Sequence, residues 1–221
     1  MEADGEAGIW RDRRHAGALL AERLACTVHH HQDRTVVGIP HGGIAVAAGL
    51  VAELQLPLSC WSVRRLWRPG GPQEAIGALA PGNVQVLDDQ GLRRLGFDAE
   101  HCQALLRQQT KRLEQDQRRF GDPAPAELRH RHLILVDEAI RSGRAMGAGL
   151  LSPRALYPAS ITVATPLACL EALERLAPLA DQVVVLRQVE RLPRLCDCFA
   201  ALPPLSVEQV IALLRASGGW S

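Results

Sequence analysis

Asp137 and Glu138 are adjacent carboxylates. They follow four apolar residues, Leu133 to Val136, and precede a small, basic run, Arg141-Ser142-Gly143-Arg144-Ala145. Paired carboxylates accept hydrogen bonds from neighbouring hydroxyls such as those a sugar presents. The basic run leads into a helix expected to start near Ala145. A helix start offers unpaired N–H groups and partial positive charge, so Ser142, Gly143 and the adjoining amides can hold a phosphate. Four apolar residues without polar alternation read as a strand buried on both faces, as a parallel sheet demands. Strand, acid pair, loop and helix together describe a ribose-phosphate cradle. An ordinary strand–turn–helix with a charged turn fits the same letters.

The flanking elements supply two more loops of this kind. Thr35 to Ile39 reads as a strand ending in Pro40-His41-Gly42-Gly43, with an alanine-rich helix over Ile44 to Leu54. The two glycines permit a tight turn and close approach to a ligand, a second anion-binding geometry. Leu58 to Val63 is the next strand. Residues 64–74, carrying Arg64 and Arg65, are basic and rich in glycine and proline, which predicts a mobile loop. A hairpin is expected over Ala75–Leu79 and Asn83–Leu87, then a charged surface helix from Ala99 to about Arg119, broken at Gly121 to Pro125. Ser160–Ala164 and Gln182–Leu186 read as strands, with a helix over Leu167–Leu176 between them. Alternating strands and helices imply an α/β fold with a parallel sheet and right-handed crossovers. Ligands of such sheets bind at the carboxyl ends of the strands, and all three loops lie there.

At the ends, Ile9 to Val28 has the spacing of an amphipathic helix. The tail from Glu190 to Pro204 is broken by prolines. Ser206 and Gln209 form a capping box for a terminal helix to Arg215. No linker or internal repeat divides the chain, which reads as one domain over residues 1–221 with residues 1–9 disordered.

Composition narrows the classes. The chain has 221 residues, 47% of them apolar, with a net charge of +1. That suffices for a substantial core and gives no electrostatic footprint for nucleic acid. No apolar run reaches the roughly eighteen residues of a membrane span, and the N-terminus lacks an apolar signal core, so a cytoplasmic protein is expected. The six cysteines are scattered, and Cys196-x-Cys198 is too close for zinc spacing. His29-His30-His31 do not share a helix face and read as a solvated helix end. The one lysine, Lys111, stands against 24 arginines. Any role a lysine would play falls to arginine.

The central stretch resembles the 5-phosphoribosyl-1-diphosphate (PRPP) motif of type I phosphoribosyltransferases. The order of the other pieces resembles a bacterial branch of predicted phosphoribosyltransferases of about this length. Its motifs correspond to Arg11-Asp12-Arg13, Pro40-His41-Gly42-Gly43, Val63-Arg64-Arg65-Leu66 and Pro72-Gln73-Glu74-Ala75-Ile76-Gly77-Ala78. The resemblance implies the phosphoribosyltransferase sheet flanked by helices, with a small hood of terminal and inserted segments. It implies that Asp137 and Glu138 bind the ribose hydroxyls and help to position Mg²⁺ carried by PRPP. Ser142, Gly143 and neighbouring amides would hold the 5′-phosphate. His41, Gly42 and Gly43 would hold the diphosphate, and Arg64 and Arg65 would cover it as the catalytic cations. PRPP and a nitrogenous base are the implied partners, Mg²⁺ the implied cofactor and a homodimer the common assembly.

The chain also departs from the branch pattern. His41 stands where arginine is usual and removes a fixed charge. Arg65 stands for lysine, and Ala139 for a common glycine. Ala145 lacks a hydroxyl that relatives use on the phosphate. Arg141 and Arg144 stand where the branch has alanine. Arg144 could act as a phosphate ligand, whereas Arg141 either pairs with an acid and blocks the ribose site or points to solvent. Trp67 and Phe199 could stack on a base, but simple packing is the expectation for both. The competing reading is a non-catalytic PRPP- or nucleotide-binding regulatory protein that keeps the fold; an empty scaffold is the third. An intact acid pair beside a weakened phosphate loop favours a binder over a scaffold.

Overall fold

The computed structural model describes residues 10–25, 33–67, 75–94, 96 and 99–218. His29 to His31, residues 1–9 and the segment from Arg68 to Glu74 lie outside the described residues. In chain order the elements are α1 (Arg13–Ala25), β1 (Arg34–Gly38), α2 (Gly42–Leu54), β2 (Leu58–Cys60), β3 (Arg64–Trp67), β4 (Ala75–Ala80) and β5 (Val84–Leu87). There follow α3 (Asp89–Arg94), α4 (Ala99–Phe120), α5 (Pro125–Leu128), β6 (His132–Val136), β7 (Ala139–Ile140), α6 (Arg144–Arg154), β8 (Ser160–Cys169), α7 (Leu170–Leu176), β9 (Gln182–Val189) and α8 (Val207–Ala216).

The main sheet is parallel, in the order β2-β1-β6-β8, with β7 and β9 also pairing to β8. β6 ends opposite Ala164 and β7 resumes opposite Leu167, so the two acids occupy the interruption between them. Both faces of β6 are buried, as its unbroken apolar run requires. Leu133 and Leu135 pack with α6, while Ile134 and Val136 pack with α2, α1 and α8. The helix expected from Leu167 begins only at Leu170, because β8 continues to pair with β7 and β9 as far as Cys169.

β3, β4 and β5 form a separate antiparallel sheet, which contains the expected hairpin. Glycine and proline content predicts a loop from Arg64 onward. The first four residues of that segment instead extend the hairpin as an edge strand, with Arg64 opposite Leu79 and Arg65 opposite Ala78. Side-chain bonds hold this unit to the main sheet: Trp61 Nε1 donates to Ser152 Oγ at 3.1 Å, and that hydroxyl donates to the Pro81 carbonyl at 2.6 Å.

α1 lies against α2 at close range. A methyl on Gly17 or Gly49 would run into the backbone of the opposite helix, so the pair of glycines sets the spacing. Ahead of α1, Trp10 is stitched to the tail: its N–H donates to the Cys198 carbonyl at 3.1 Å, and its carbonyl accepts from Ala200 at 2.9 Å. The Trp10 and Phe199 rings meet at 5.2 Å. Residues 10–13 and the tail, both among the segments expected to form the hood, are thus joined to each other. The Ser206–Gln209 capping box opens α8 as its letters require. No helix among the described residues is long and apolar enough to cross a membrane.

Candidate functional site

β1 and β6 are neighbours, so the turn after β1 and the acid pair after β6 meet above the carboxyl edge of the sheet. Ile39 N–H donates to the Val136 carbonyl at 2.9 Å and fixes where the two loops diverge. A Cβ on Gly43 would lie 2.5 Å from the Val136 carbonyl oxygen and 3.0 Å from Asp137 Cα. A Cβ on Gly42 would run into the Glu138 carboxylate. The Gly-Gly pair is thus what lets the turn sit against the acids. The peptide between Pro40 and His41 is cis.

The acids face a cleft of about 680 Å³. Gly42, Arg65, Trp67, Asp137, Glu138 and the whole of Arg141 to Ala145 line it, with Leu192 and Leu195 of the tail closing one side. Gly143 takes φ +77° as the N-cap of α6, a left-handed conformation that suits glycine. The loop passes through Gly143 straight into the first turn of α6, where the Arg144 N–H donates to Ser142 Oγ at 3.5 Å. Ala145 and Ser142 lie on this wall, while Gly143 is buried at its base.

Each acid already holds an arginine. Arg65 Nη2 donates to Asp137 Oδ2 at 2.6 Å, and the other Asp137 oxygen accepts from the Glu138 N–H at 2.8 Å. Glu138 pairs with Arg13 Nε, and the same guanidinium donates to the Pro203 carbonyl at 2.7 Å. Burial holds both carboxyls above their usual range, against the opposing pull of the two arginines. In the sequence Arg13 stands out only as part of a motif. The structure makes it the link between hood and acid pair, a role that no local spacing signals across 125 residues.

The structure decides the open choice for Arg141 and changes the expectations for two other arginines. Arg141 pairs with neither acid, because Arg65 and Arg13 occupy them; it lines the cleft as an exposed side chain. Arg144, expected on the phosphate, is turned to the hairpin side, donating to Asp88 at 2.7 Å and to the Ala75 carbonyl at 3.4 Å. Only its backbone amide remains part of the helix start. Arg64 is committed to α4, with Nε donating to Gln109 at 2.7 Å and Nη1 to Asp116 at 2.6 Å. Trp67 is also corrected: at the end of β3, opposite Ala75 after a register shift, it is 49% exposed and lines the cleft. Phe199 does pack in the core, as expected.

His41 lies outside this cleft. It lines a second cavity of about 460 Å³, which shares Arg65 and Trp67 with the first. Its ring stands edge-on to Phe120 at 5.5 Å. Desolvation, reinforced by Arg119, Arg64 and Arg65 and opposed by Asp116, lowers its pKa. His41 is therefore neutral at pH 7, and the turn offers backbone rather than charge.

Asp122 anchors the wall of this cavity by accepting from both the amide and the hydroxyl of Ser62, each at 2.8 Å. Burial raises its pKa from 3.8 to about 6, against the Ser62 bonds that favour the charged form. The folded protein thus holds this proton more tightly than the unfolded chain. The resulting stabilisation is complete below about pH 4 and is lost as pH rises through about 6. Asp122→Asn is expected to remove this slope. Between pH 4 and pH 7, urea unfolding should show the unsubstituted protein losing about 2 kcal/mol more than the variant.

No family model matches the chain. It is 34% identical, over 181 residues and 80% of its length, to two curated proteins of Mycobacterium tuberculosis. They are "Putative phosphoribosyl transferase MT0597" of strain CDC 1551 / Oshkosh and "Putative phosphoribosyl transferase Rv0571c" of strain ATCC 25618 / H37Rv. The chain spans 40% of the length of each. The crystal structure of TT1426 from Thermus thermophilus is 32% identical with a TM-score of 0.73, covering 95% of this chain and 99% of that one. AQ2163 from Aquifex aeolicus, 11% identical with a TM-score of 0.52 over 82% of this chain and 77% of its own, shares the fold. The Thermus likeness runs nearly the whole length of both chains, and the named mycobacterial likeness covers four-fifths of this one, so they bear on the sheet, the hood and the loops together. Over four-fifths of its length the chain is similar to proteins named as phosphoribosyl transferases, and over nearly all of its length to TT1426.

Proposed function

We propose that the protein transfers the 5-phosphoribosyl group of PRPP to a nitrogenous base and releases diphosphate. One observation supports this reading: the acid pair lines one cleft with the start of α6 and with Gly42 at the start of α2, and the rest of the 40–43 turn lines the adjoining cavity. That is the order of phosphate, ribose and diphosphate in PRPP. In this reading the amides of Ser142 to Ala145 hold the 5′-phosphate. Asp137 and Glu138 accept from the ribose hydroxyls, sharing them with Arg65 and Arg13. The diphosphate rests on the 40–43 turn, and Arg65 stands between the acids and that turn.

In the reaction the C1–O bond to diphosphate breaks and a bond from C1 to a ring nitrogen of the base forms. The electron pair leaves on the diphosphate oxygen, and where the attacking ring nitrogen carries a proton, that proton passes to solvent. Cationic groups aimed at that oxygen lower the barrier, since charge develops there. Mg²⁺ bound with PRPP would supply further neutralisation of the leaving group. The donors fit such an ion. Among the described residues no three His, Cys, Asp or Glu side chains form a metal cage, and two adjacent carboxylates suit a hard cation whose remaining ligands are substrate oxygens and water. A homodimer in the cytoplasm is part of the same proposal.

The test is release of diphosphate from PRPP and Mg²⁺, measured with a panel of purines, pyrimidines and pyridine carboxylates. Release that depends on one base supports transfer. Absence of base-dependent release across the panel, with PRPP bound, refutes it.

A further inference from the structure

The second cavity is walled by Pro40, His41, Arg64, Arg65, Arg112 and Phe120, among others, and its cationic side chains differ in what they have left to give. Arg64 is neutralised by Asp116 and held by Gln109. Arg65 is neutralised by Asp137. His41, desolvated, carries no charge at neutral pH. Arg112 has no ion pair and no hydrogen bond among the described residues.

Its position follows from α4. Gln109, Arg112, Asp116 and Phe120 are spaced by three, four and four residues, so they share one face of the helix. That face meets the 40–43 turn through the Phe120–His41 ring contact. Arg112 therefore lines the same cavity as the turn from a regular element, and its planar fork suits two oxygens of a phosphate group. Asp116, the one acid among the described residues of the cavity wall, is held by Arg64 and so does not repel an anion.

We propose that Arg112 is a diphosphate-binding residue, and that α4 supplies the fixed charge which His41 withholds from the turn. This deepens the PRPP reading and rests on it. The ligand class is a diphosphate moiety complexed with a divalent cation. Arg112 holds the leaving group once it has left C1 as well as before.

The experiment titrates inorganic diphosphate with Mg²⁺, and separately ribose 5-phosphate, into the protein and its Arg112→Gln and Arg112→Lys variants. Arg112→Gln is expected to weaken diphosphate binding by roughly tenfold to a hundredfold, the range for one charge-assisted hydrogen-bonding group. Ribose 5-phosphate affinity should stay unchanged, and Arg112→Lys should fall between. Adding His41→Arg to the Arg112→Gln variant should recover part of the loss, because it returns a charge to the same cavity. Equal diphosphate affinity with and without Arg112, equal loss of both ligands in Arg112→Gln, or no diphosphate binding by the unsubstituted protein each overturns the proposal. Diphosphate binding that needs Arg112 while ribose 5-phosphate does not bind at all upholds Arg112 and refutes the ribose cradle instead.

Discussion

The Asp137→Asn/Glu138→Gln double variant is expected to lose at least a hundredfold in PRPP affinity. Each carboxylate offers charged acceptors to the sugar hydroxyls, and a hydrogen bond to a charged group contributes about 1.5–3 kcal/mol, so two losses exceed about 3 kcal/mol. The substitution also strips Arg65 and Arg13 of their counter-charges, at side chains only 31% and 13% exposed. Removing one partner of such a pair costs more than the pair itself contributes, because the remaining charge stays partly desolvated. Stability should therefore fall by about 1–3 kcal/mol, discounted for the exposure of Arg65. Calorimetry with PRPP and urea unfolding measure the two effects separately. Unchanged affinity in a folded variant contradicts the role of the acids.

Gly43→Ala should have the second-largest effect. The added methyl would stand 2.5 Å from the Val136 carbonyl oxygen and 3.0 Å from Asp137 Cα, both backbone atoms of the strand end that carries the acids. Neither can turn aside as a flexible side chain can, so turn and strand must separate. Overpacking of this kind costs about 1–3 kcal/mol. The separation also moves the diphosphate turn away from the acid pair, so PRPP affinity should drop more than roughly tenfold through lost alignment. Thermal unfolding and a PRPP titration of the variant check both parts. An alanine variant with unchanged melting and affinity would mean that the contact relaxes at no cost.

Much of the scaffold was legible because local letters determine it. The uninterrupted run Leu133 to Val136 could only be a strand buried on two faces, and Ser206 with Gln209 specified the cap of α8. Glycines after β1 marked a close approach that the structure places against Asp137. The side-chain partners were another matter. Glu138 meets Arg13 across 125 residues and Asp137 meets Arg65 across 72, and no periodicity reports on such pairs. Arg144 looked like a phosphate ligand beside its loop, yet Asp88 on the far side of the hairpin holds it. Arg64 looked mobile because glycine and proline follow it. Its edge-strand pairing with Leu79 and its ion pair with Asp116 on α4 are tertiary facts.

The pairing also shapes what binding must do. Ribose hydroxyls approach carboxylates that are already satisfied, so PRPP has to share or exchange the arginines. Arg65 lies on the divide between the two cavities and can give up Asp137 for an anion in either. Arg13, held by the tail carbonyl of Pro203, is the more constrained of the two.

Titration of the unsubstituted protein with PRPP by calorimetry, with and without Mg²⁺, tests the central claim most directly. Saturable binding that strengthens with Mg²⁺ is the predicted result. No heat of binding up to millimolar PRPP in the presence of Mg²⁺ would contradict it.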